Sequence, residues 1–233
     1  MIIYTLITAR SGSKGIKDKN ILDYNGYPMI YHSIKVSKNC NQVHKTFVST
    51  DSNYYAQLCK KYGAEVPFIR PKELADDLST DYEVFNHFIE YLKINNYTLP
   101  DAIIHLRPTY PNRTLELLDD CISTFIMNYK NYDSLRTVCQ IEKQPQKMYF
   151  IQNNNLIPYF NKYENINEPF NMPRQLFPTT YIHNGCIDII KTNVINNLKS
   201  MSGNNIYPYI MNENNDIDSY DDLEKSKKMN KIK

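Results

Sequence analysis

The sequence predicts an α/β fold built on a doubly wound, mostly parallel sheet with helices on both faces. Apolar runs of strand length alternate with helical patterns through the first half of the chain, which is the order expected of such a sheet. Polar clusters directly follow three of these runs, and open α/β sheets bind ligands beyond the carboxyl ends of their strands. At 233 residues, the chain is long enough to bury a substantial core in one domain.

The predicted elements follow from short apolar runs and helical periodicity. The predicted strands are Ile2–Ile7, Thr46–Thr50, Ala102–Leu106 and Ser134–Cys139. The predicted helices are Ile30–Ser37, Tyr54–Tyr62, Glu83–Leu92 and Leu115–Tyr129. Because the strands alternate with helices, we expect parallel crossovers and a shared carboxyl edge where the polar clusters meet.

Residues 140–181 break this alternation. The segment is rich in Asn, Pro, Tyr and Phe and shows no helical period, and long irregular inserts in compact domains are commonly functional. Its apolar stretches at 148–151 and 156–160 argue against a mere surface excursion. We therefore expect one domain over residues 1–233, with residues 140–181 forming an inserted arm that contacts a second subunit or the substrate.

The stretch that follows the first strand, T-A-R-S-G-S-K-G-I-K-D-K-N at residues 8–20, carries the strongest functional pattern. Gly12 and Gly15 allow the backbone to approach a ligand closely, and exposed N–H groups in such a turn form an anion-binding nest. Four cations supply charge for a triphosphate: Arg10, Lys14, Lys17 and Lys19. A solvated basic loop is the alternative interpretation, but surface loops rarely place this much charge directly after a buried strand.

Two common phosphate-binding motifs do not fit this loop. The P-loop ends in Lys-Ser or Lys-Thr, whereas Lys14 is followed by Gly15 and Ile16. The dinucleotide fingerprint G-x-G-x-x-G also fails to match Gly12 and Gly15. The loop therefore favours a mononucleotide triphosphate, and it points to nucleotidyl transfer before kinase or dehydrogenase chemistry.

Composition sets further limits. The 27 cationic and 25 anionic side chains give no bulk attraction to nucleic acid or to a membrane, and no apolar run reaches the roughly 18 residues of a membrane span. The five scattered cysteines contain no C-x-x-C pair, which makes structural zinc or a disulfide framework improbable. No secretory signal pattern is present at the N-terminus, so a reducing cytoplasm is the expected location.

Near the C-terminus, Asp216 and Asp218 could share a metal ion. Carboxylates at i and i+2 on an extended segment point to the same side, and Mg²⁺ takes one or two carboxylates together with substrate phosphates. The same stretch could instead begin a helix, with Ser219 as the cap and Asp221 and Asp222 in its first turn. The residues alone leave both interpretations open, and the two are compatible.

Seven motifs in order give the chain a resemblance to a known family, the acylneuraminate cytidylyltransferases, which make CMP-activated nonulosonic acids. The motifs are A-R-S-G-S-K-G-I-K-D-K-N at 9–20, S-T-D at 49–51, R-P-K-E-L-A-D-D at 70–77, R-P-T-Y-P-N-R at 107–113, P-R-Q at 173–175, N-G-C-I-D-I at 184–189 and D-I-D-S-Y-D-D-L at 216–223. Together they span nearly the whole chain. The resemblance implies a Rossmann-like nucleotidyltransferase that acts as a homodimer with CTP and an acidic sugar.

The resemblance also implies roles for individual residues. Arg10, Lys14 and Lys19 would be catalytic cations in the nucleotide loop. The expected nucleotide-binding residues are Ala9, Gly12, Ser13, Asn20, Ser79 and Asp81. The expected acceptor-binding residues are Arg107, Thr109, Arg174, Gln175, Asn184 and Asp188. Asp216 and Asp218 would hold Mg²⁺, or Mn²⁺ in its place.

The acceptor is the point at which the sequence departs from the family pattern. Sialic-acid-activating relatives carry Gln where this chain has Arg107, and a guanidinium favours a carboxylate or phosphate partner. Alternatively, Arg107 pairs with a buried acid such as Asp188, which stands where many relatives have an aromatic. We therefore expect CMP transfer from CTP to a sialic, legionaminic or pseudaminic type of acid for surface glycans. Transfer to another acidic acceptor such as a phosphonate, or a non-catalytic nucleotide-binding module, remains the alternative.

Overall fold

The computed structural model describes residues 1–13 and 15–230 of the chain. The strands are β1 (Ile3–Thr8), β2 (Asp23–Tyr24), β3 (Tyr27–Pro28), β4 (Lys45–Ser49), β5 (Ala102–His105), β6 (Ser134–Ile141), β7 (Tyr149–Gln152), β8 (Asn155–Pro158), β9 (Lys162–Tyr163), β10 (Ile166–Asn167), β11 (Thr180–Lys191) and β12 (Ile206–Met211). The helices are α1 (Met29–Asn39), α2 (Asn53–Lys61), α3 (Asp81–Ile94), α4 (Leu115–Met127), α5 (Thr192–Leu198) and α6 (Tyr220–Asn230). All four predicted strands and all four predicted helices are confirmed, with ends that differ by a few residues.

Six strands form the central sheet, in the order β12-β6-β11-β5-β1-β4. Strand β1 pairs in parallel with β4 on one side and with β5 on the other, while β11 runs antiparallel to β5. The sheet is therefore mixed and mostly parallel, which confirms the predicted α/β class. The chain leaves β1 towards β4 and returns across β1 to β5, so the switch in strand order lies between β1 and β5. Such a switch opens a crevice beyond the strand ends.

Helices α3 and α5 cover one face of this sheet. Phe85, Phe88 and Leu92 of α3 belong to a buried cluster with side chains of β1, β4, β5 and β11. Strand residues of the opposite parity, such as Ile104 and Ile189, are also fully buried and point to the other face. Helices α1 and α4 pack against each other there. The core thus lies on both sides of the sheet and leaves its carboxyl edge for ligands.

The chain divides into two compact units. The first consists of residues 1–137, 184–209 and 215–233, and it contains most of the central sheet. The second consists of residues 138–183 and 210–214. The predicted contact of residues 140–181 with a second subunit remains a prediction.

The second unit contains regular hairpins, although its sequence predicts irregular structure. Strands β7 and β8 pair antiparallel across Asn153 and Asn154, both of which have positive φ angles, 50° and 62°. Two consecutive positive φ angles suit a tight hairpin turn, and Asn tolerates this conformation better than most residues. Because every residue of β7 is exposed, the strand has no buried face. Alternation between apolar and polar residues, the usual sign of a strand, is therefore missing.

Within the described residues, no helix combines the length and the apolar character that a membrane crossing requires.

Candidate active site

A cleft of about 480 Å³ opens at the switch point beside β1. Its walls come from the loop after β1, from the segment that leads into α3, and from the residues that follow β5. Its volume lies within the range of about 300–1,000 Å³ typical of small-ligand sites. The predicted ligand residues in its walls are Arg10, Ser13, Lys19, Asn20, Ser79, Asp81, Arg107 and Thr109.

The loop after β1 is held in place by the end of β4. Asp51 accepts hydrogen bonds from the Ser11 backbone N–H at 2.9 Å and from its hydroxyl at 2.7 Å. The N–H of Ala9 donates to the Ser49 carbonyl at 3.0 Å, and the Asn20 amide donates to the Arg10 carbonyl at 2.9 Å. The S-T-D cluster at the end of β4 therefore supplies two of the acceptors, the Ser49 carbonyl and the Asp51 carboxylate, that hold the loop after β1 in place. Predicted Gly12 belongs to the same loop, whereas Lys14 lies outside the described residues.

Arg10 projects from this loop to the opposite wall of the cleft. Its guanidinium donates to the Asp76 carbonyl at 2.6 Å and lies 3.0 Å from the Asp77 carboxylate. About a third of each side chain of the Arg10–Asp77 pair is exposed, 33% and 37%. Since exposed ion pairs are weak, a phosphate could take the place of Asp77 at low cost.

The opposite wall is shaped by hydrogen bonds around Asp76 and Ser79. The Asp76 carboxylate accepts from the N–H groups of Leu78 and Ser79, both at 2.9 Å, and the hydrogen bond from Leu78 is the main reason that the pKa of Asp76 is lowered. The Ser79 hydroxyl donates to the Glu73 carbonyl at 3.0 Å. Ser79 thus supports the wall of the cleft, and its predicted contact with the nucleotide remains a prediction.

Arg107 follows β5 and joins two carboxylates. Its Nη1 donates to Asp188 at 2.8 Å, and its Nη2 donates to Asp81 at 2.9 Å. Burial lowers the pKa of Arg107, but the charges of Asp188 and Asp81 outweigh this effect and hold it above its ordinary value. The structure therefore contains the Arg107–Asp188 pair that the sequence left as an alternative.

His105 is the last residue of β5 and lies close to Asp81. It is fully buried, its Nε2 is 2.9 Å from the Thr8 hydroxyl, and its Nδ1 is 3.8 Å from the Asp81 carboxylate. Burial raises the pKa of Asp81, but His105 and then Arg107 outweigh it and leave the pKa below its ordinary value. Asp81 is therefore held as a carboxylate at the start of α3.

The two aspartates near the C-terminus approach the cleft through the loop after β1. Asp218 accepts a hydrogen bond from Lys19 Nζ at 2.9 Å, and a side chain at Gly15 would lie 3.5 Å from the Asp218 carbonyl. The Ile217 N–H donates to the Thr109 carbonyl at 2.9 Å, so the residue between the aspartates is fixed beside Arg107. Burial raises the pKa of Asp216; a hydrogen bond from Thr109 opposes this rise, and the charge of Asp218 adds to it.

The helix-start interpretation of the same stretch is confirmed. The Ser219 hydroxyl accepts from the Asp222 N–H at 3.2 Å, and the Asp222 carboxylate accepts from the Ser219 N–H at 2.9 Å. This reciprocal pattern caps α6, which begins at Tyr220, two residues after Asp218. It leaves Asp216 and Asp218 outside the helix, as both interpretations together require.

Other predicted acceptor residues lie in different surroundings. Asn184 on β11 is 2% exposed, and its side-chain oxygen accepts from the Thr137 hydroxyl at 2.7 Å. Arg174 and Gln175 belong to the second unit, where they form part of an exposed 3-10 turn at Arg174–Leu176. The structure thus brings Arg107, Thr109 and Asp188 into one neighbourhood within the first unit, and the roles of all these residues remain predictions.

Three charged residues near the site were not among those predicted from the sequence. Arg70 is 5% exposed and donates to the Ser49 carbonyl at 2.8 Å, which fixes the wall segment to the end of β4. Asp77 pairs with Arg10, and Arg136 on β6 lies 3.2 Å from Asp188. Arg70 and Asp77 stand inside a motif that was recognised, while Arg136 interrupts the strand S-L-R-T-V-C, a charge that could have marked it.

A mostly parallel sheet with a cationic loop at its switch point, and with an aspartate bound to that loop, is the arrangement expected of a nucleotidyltransferase. The model of the cytidylyltransferase family matches residues 4–104, which include most of β1, the cationic loop and most of β5. The chain belongs to the cytidylyltransferase family. This membership confirms the predicted enzyme class.

Two relatives extend the likeness beyond the N-terminal half. The pseudaminic acid cytidylyltransferase of Campylobacter jejuni serotype O:2 is 31% identical over 157 residues, which are 67% of this chain and 66% of that enzyme. The chain therefore spans about two thirds of the length of that relative. The post-translational flagellin modification protein B of Campylobacter coli is 31% identical over 224 residues, covering 93% of this chain and 90% of that protein.

The fold is also found among solved structures. A CMP:2-keto-3-deoxy-manno-octonic acid synthetase, solved in complex with CTP, superposes with a TM-score of 0.71 over 100% of this chain and 99% of that one. Because the two chains are only 17% identical, this likeness supports the fold and nothing finer.

Proposed function

We propose that this protein transfers CMP from CTP to a nonulosonic acid of the pseudaminic, sialic or legionaminic type and releases pyrophosphate. The observation that carries the proposal is the convergence of Arg10 and Lys19 on one cleft at the switch point, with Asp218 bound to Lys19. The two cations suit the phosphates of CTP. The relative from C. jejuni that bears the name pseudaminic acid cytidylyltransferase supports an acceptor of this type.

In the proposed reaction, the anomeric hydroxyl of the acceptor attacks the α-phosphorus of CTP and releases its proton to solvent, while the bond to the pyrophosphate oxygen breaks and pyrophosphate leaves. Positioning and charge stabilisation supply most of the catalysis in such transfers. Arg10 and Lys19 hold the phosphates in this scheme, after exchanging Asp77 and Asp218 for phosphate oxygens. The two hydrogen bonds that Ser11 donates to the Asp51 carboxylate help to fix the conformation of the loop that carries both cations.

We also propose that Asp216 and Asp218 hold Mg²⁺, with Mn²⁺ as a possible substitute. The donor set fits, since two carboxylates plus phosphate oxygens are the usual ligands of a nucleotide-bound Mg²⁺. The raised pKa of Asp216, which results from burial and from the neighbouring charge of Asp218, supports a site that gains from a cation. In the described residues, no group of three or more His, Cys, Asp or Glu could hold a metal alone, so the nucleotide would complete the coordination. The ion would neutralise charge on the phosphates.

The direct test is pyrophosphate release from each of the four nucleoside triphosphates, with and without a panel of nonulosonic acids. We expect release from CTP alone among the nucleotides, and only with an acceptor and a divalent cation. Binding of CTP without turnover on any acceptor would instead indicate a non-catalytic nucleotide-binding module. Turnover on a phosphonate but on none of the sugars would show that the acceptor is a phosphonate and not a nonulosonic acid.

We further propose that residues 140–181 form the contact of a homodimer. The β7–β8 hairpin exposes large apolar side chains, among them Ile151 at 76% and Leu156 at 64%. Monomeric proteins rarely leave such side chains clustered in water. Light scattering after size-exclusion chromatography tests this point: a dimer that becomes monomeric in Ile151→Lys supports the proposal, and a wild-type monomer contradicts it.

A further inference from the structure

A row of polar side chains crosses one face of the central sheet, perpendicular to the strands. Thr8 of β1 contacts His105 of β5 at 2.9 Å, and Asp188 of β11 stands directly opposite His105 in the antiparallel pair. Arg136 of β6 continues the row, with its Nε 3.2 Å from Asp188 Oδ1. Residues opposite one another on paired strands share a face, so the four side chains form a continuous line from the cleft to β6.

The two arginines of this neighbourhood differ in how they are engaged. Both terminal nitrogens of Arg107 are occupied, Nη1 by Asp188 and Nη2 by Asp81. Arg136 meets Asp188 through Nε, and within residues 1–13 and 15–230 the structure records no hydrogen bond from either of its Nη groups. Its side chain is 27% exposed, whereas that of Asp188 is 2% exposed. The Nη edge of Arg136 is thus the open guanidinium edge of this pair of arginines.

Asp188 contacts both arginines. Its carboxylate lies between Arg107 and Arg136, with Oδ2 towards the first and Oδ1 towards the second. A buried carboxylate between two guanidinium groups neutralises one of them and fixes the plane of both. Because Asp81 also pairs with Arg107, the four charges balance, and an acidic acceptor would meet a guanidinium edge in a fixed orientation without a net positive charge.

We propose that Arg136 is a specificity-determining residue that binds the carboxylate of the acceptor through its Nη edge, with Asp188 as the positioning residue behind it. This inference rests on the proposed CMP transfer to an acidic sugar. A guanidinium edge with two parallel N–H groups matches a carboxylate bidentately. In the structure, Arg107, which the sequence singled out for this task, donates hydrogen bonds to Asp81 and Asp188.

The test compares an acidic acceptor with its methyl ester, which lacks the negative charge but keeps the rest of the sugar. A hydrogen bond to a charged group contributes about 1.5–3 kcal/mol, or about a 10- to 100-fold effect on KM. We expect the wild-type enzyme to show a KM for the ester that is higher by this factor. In Arg136→Leu, the KM for the acid should rise to that of the ester, so that the ratio falls to about one. The KM for CTP should not change.

Two further variants keep the result interpretable. Arg136→Lys retains the charge without the bidentate edge, so it should restore part of the preference for the acid. Lys45→Met removes a cation that pairs with Glu65 at 3.0 Å, outside the cleft walls, and should leave the ratio at its wild-type value. Thermal melting of each variant shows whether it is folded.

The outcomes separate this inference from the proposed function. An unchanged acid-to-ester ratio in folded Arg136→Leu, or an equal loss for acid and ester, would show that Arg136 only supports Asp188. Failure of the proposed function appears differently, as a wild-type protein that releases no pyrophosphate from CTP with any acceptor. In that event, calorimetric titration of wild-type and Arg136→Leu protein with N-acetylneuraminic acid decides whether Arg136 binds a carboxylate.

Discussion

Lys19 donates a hydrogen bond to Asp218 across 2.9 Å, although 199 residues separate them in the chain. The pair joins the cationic loop after β1 to the segment that carries both candidate metal ligands. Only 17% of the Lys19 side chain is exposed, against 75% for Asp218, so the lysine is the fixed partner and the aspartate the more accessible one. In the proposed function, Lys19 binds a phosphate of CTP and Asp218 binds the metal ion, so this hydrogen bond would break when both ligands bind.

Replacement of Lys19 by Met should weaken CTP binding. The variant loses one charge-assisted contact to phosphate, so we expect the KM for CTP to rise about 10- to 100-fold. Steady-state pyrophosphate release gives this value. Lys45→Met is the matched control because Lys45 pairs with Glu65 away from the cleft walls. Equal effects of the two substitutions would contradict a phosphate-binding role for Lys19.

Asp218→Asn should abolish Mg²⁺-dependent turnover while leaving the fold intact. Because the substitution also releases Lys19 from its acidic partner, the affinity for CTP should be retained or increased even as kcat falls. Equilibrium binding of CTP and turnover, measured on the same preparation, separate these effects. Asp221→Asn, which removes the same charge three residues later, should keep full activity. An Asp218→Asn enzyme with wild-type kcat would refute the assigned role.

Asp51→Ala should loosen the nucleotide loop and lower the stability of the protein. The substitution removes the acceptor for both the N–H and the hydroxyl of Ser11; an orphaned buried donor costs about 1–3 kcal/mol, and the half-buried Ser11 should lie at the lower end of this range. Urea denaturation should show this loss, and the KM for CTP should rise as well. Ser11→Ala, which keeps the N–H bond, should have a smaller effect on both. If Ser11→Ala proved the more damaging variant, the loop would have to be held by other contacts.

Asp81 should contribute stability that is lost in acid. Its pKa is lowered in the folded protein, with His105 and Arg107 outweighing burial and the charge of Asp188. A carboxyl whose folded pKa is depressed stabilises the fold above its unfolded pKa of about 3.9, and the contribution disappears as pH falls through the folded pKa. Denaturation curves at a series of pH values should therefore show a gap between wild type and Asp81→Asn that is constant near neutrality and closes below pH of about 4. If the stability difference between wild type and Asp81→Asn grew as the pH fell, folding could not be lowering the pKa of Asp81.

The sheet and its helices could be predicted because buried apolar residues recur in the sequence with the period of the strand or helix that contains them. Runs such as Ala102–Leu106 are apolar on both sides, and only a strand covered on both faces places every side chain in the core. The hairpin β2–β3 was not predicted, although Asn25 and Gly26 at its turn are a strong hairpin pair. Its two-residue strands are too short to show alternation.

The candidate site was predicted in part, and its limits have a physical cause. Arg10, Lys19 and Asp218 were identified because charge density after a strand and paired carboxylates are local patterns. Partners are not local: Asp81 and Arg107 meet across 26 residues, and Arg107 and Asp188 meet across 81. Such pairings depend on strand order, which a single sequence does not reveal. The charge of Arg136 within a strand is visible in the sequence, but its pairing with Asp188 follows only from the neighbouring positions of β6 and β11 in the sheet.

The row from Thr8 to Arg136 has a consequence for how such enzymes diverge. The four members come from four different strands, and the two charged members in contact, Asp188 and Arg136, cannot change independently without altering the charge balance around the buried Asp188. Loss of Asp188 would set two guanidinium groups against each other, and loss of Arg136 would leave Asp188 to Arg107 alone. Evolution of a new sugar preference should therefore proceed by paired substitutions at positions 136 and 188, while the nucleotide loop on β1 is inherited unaltered.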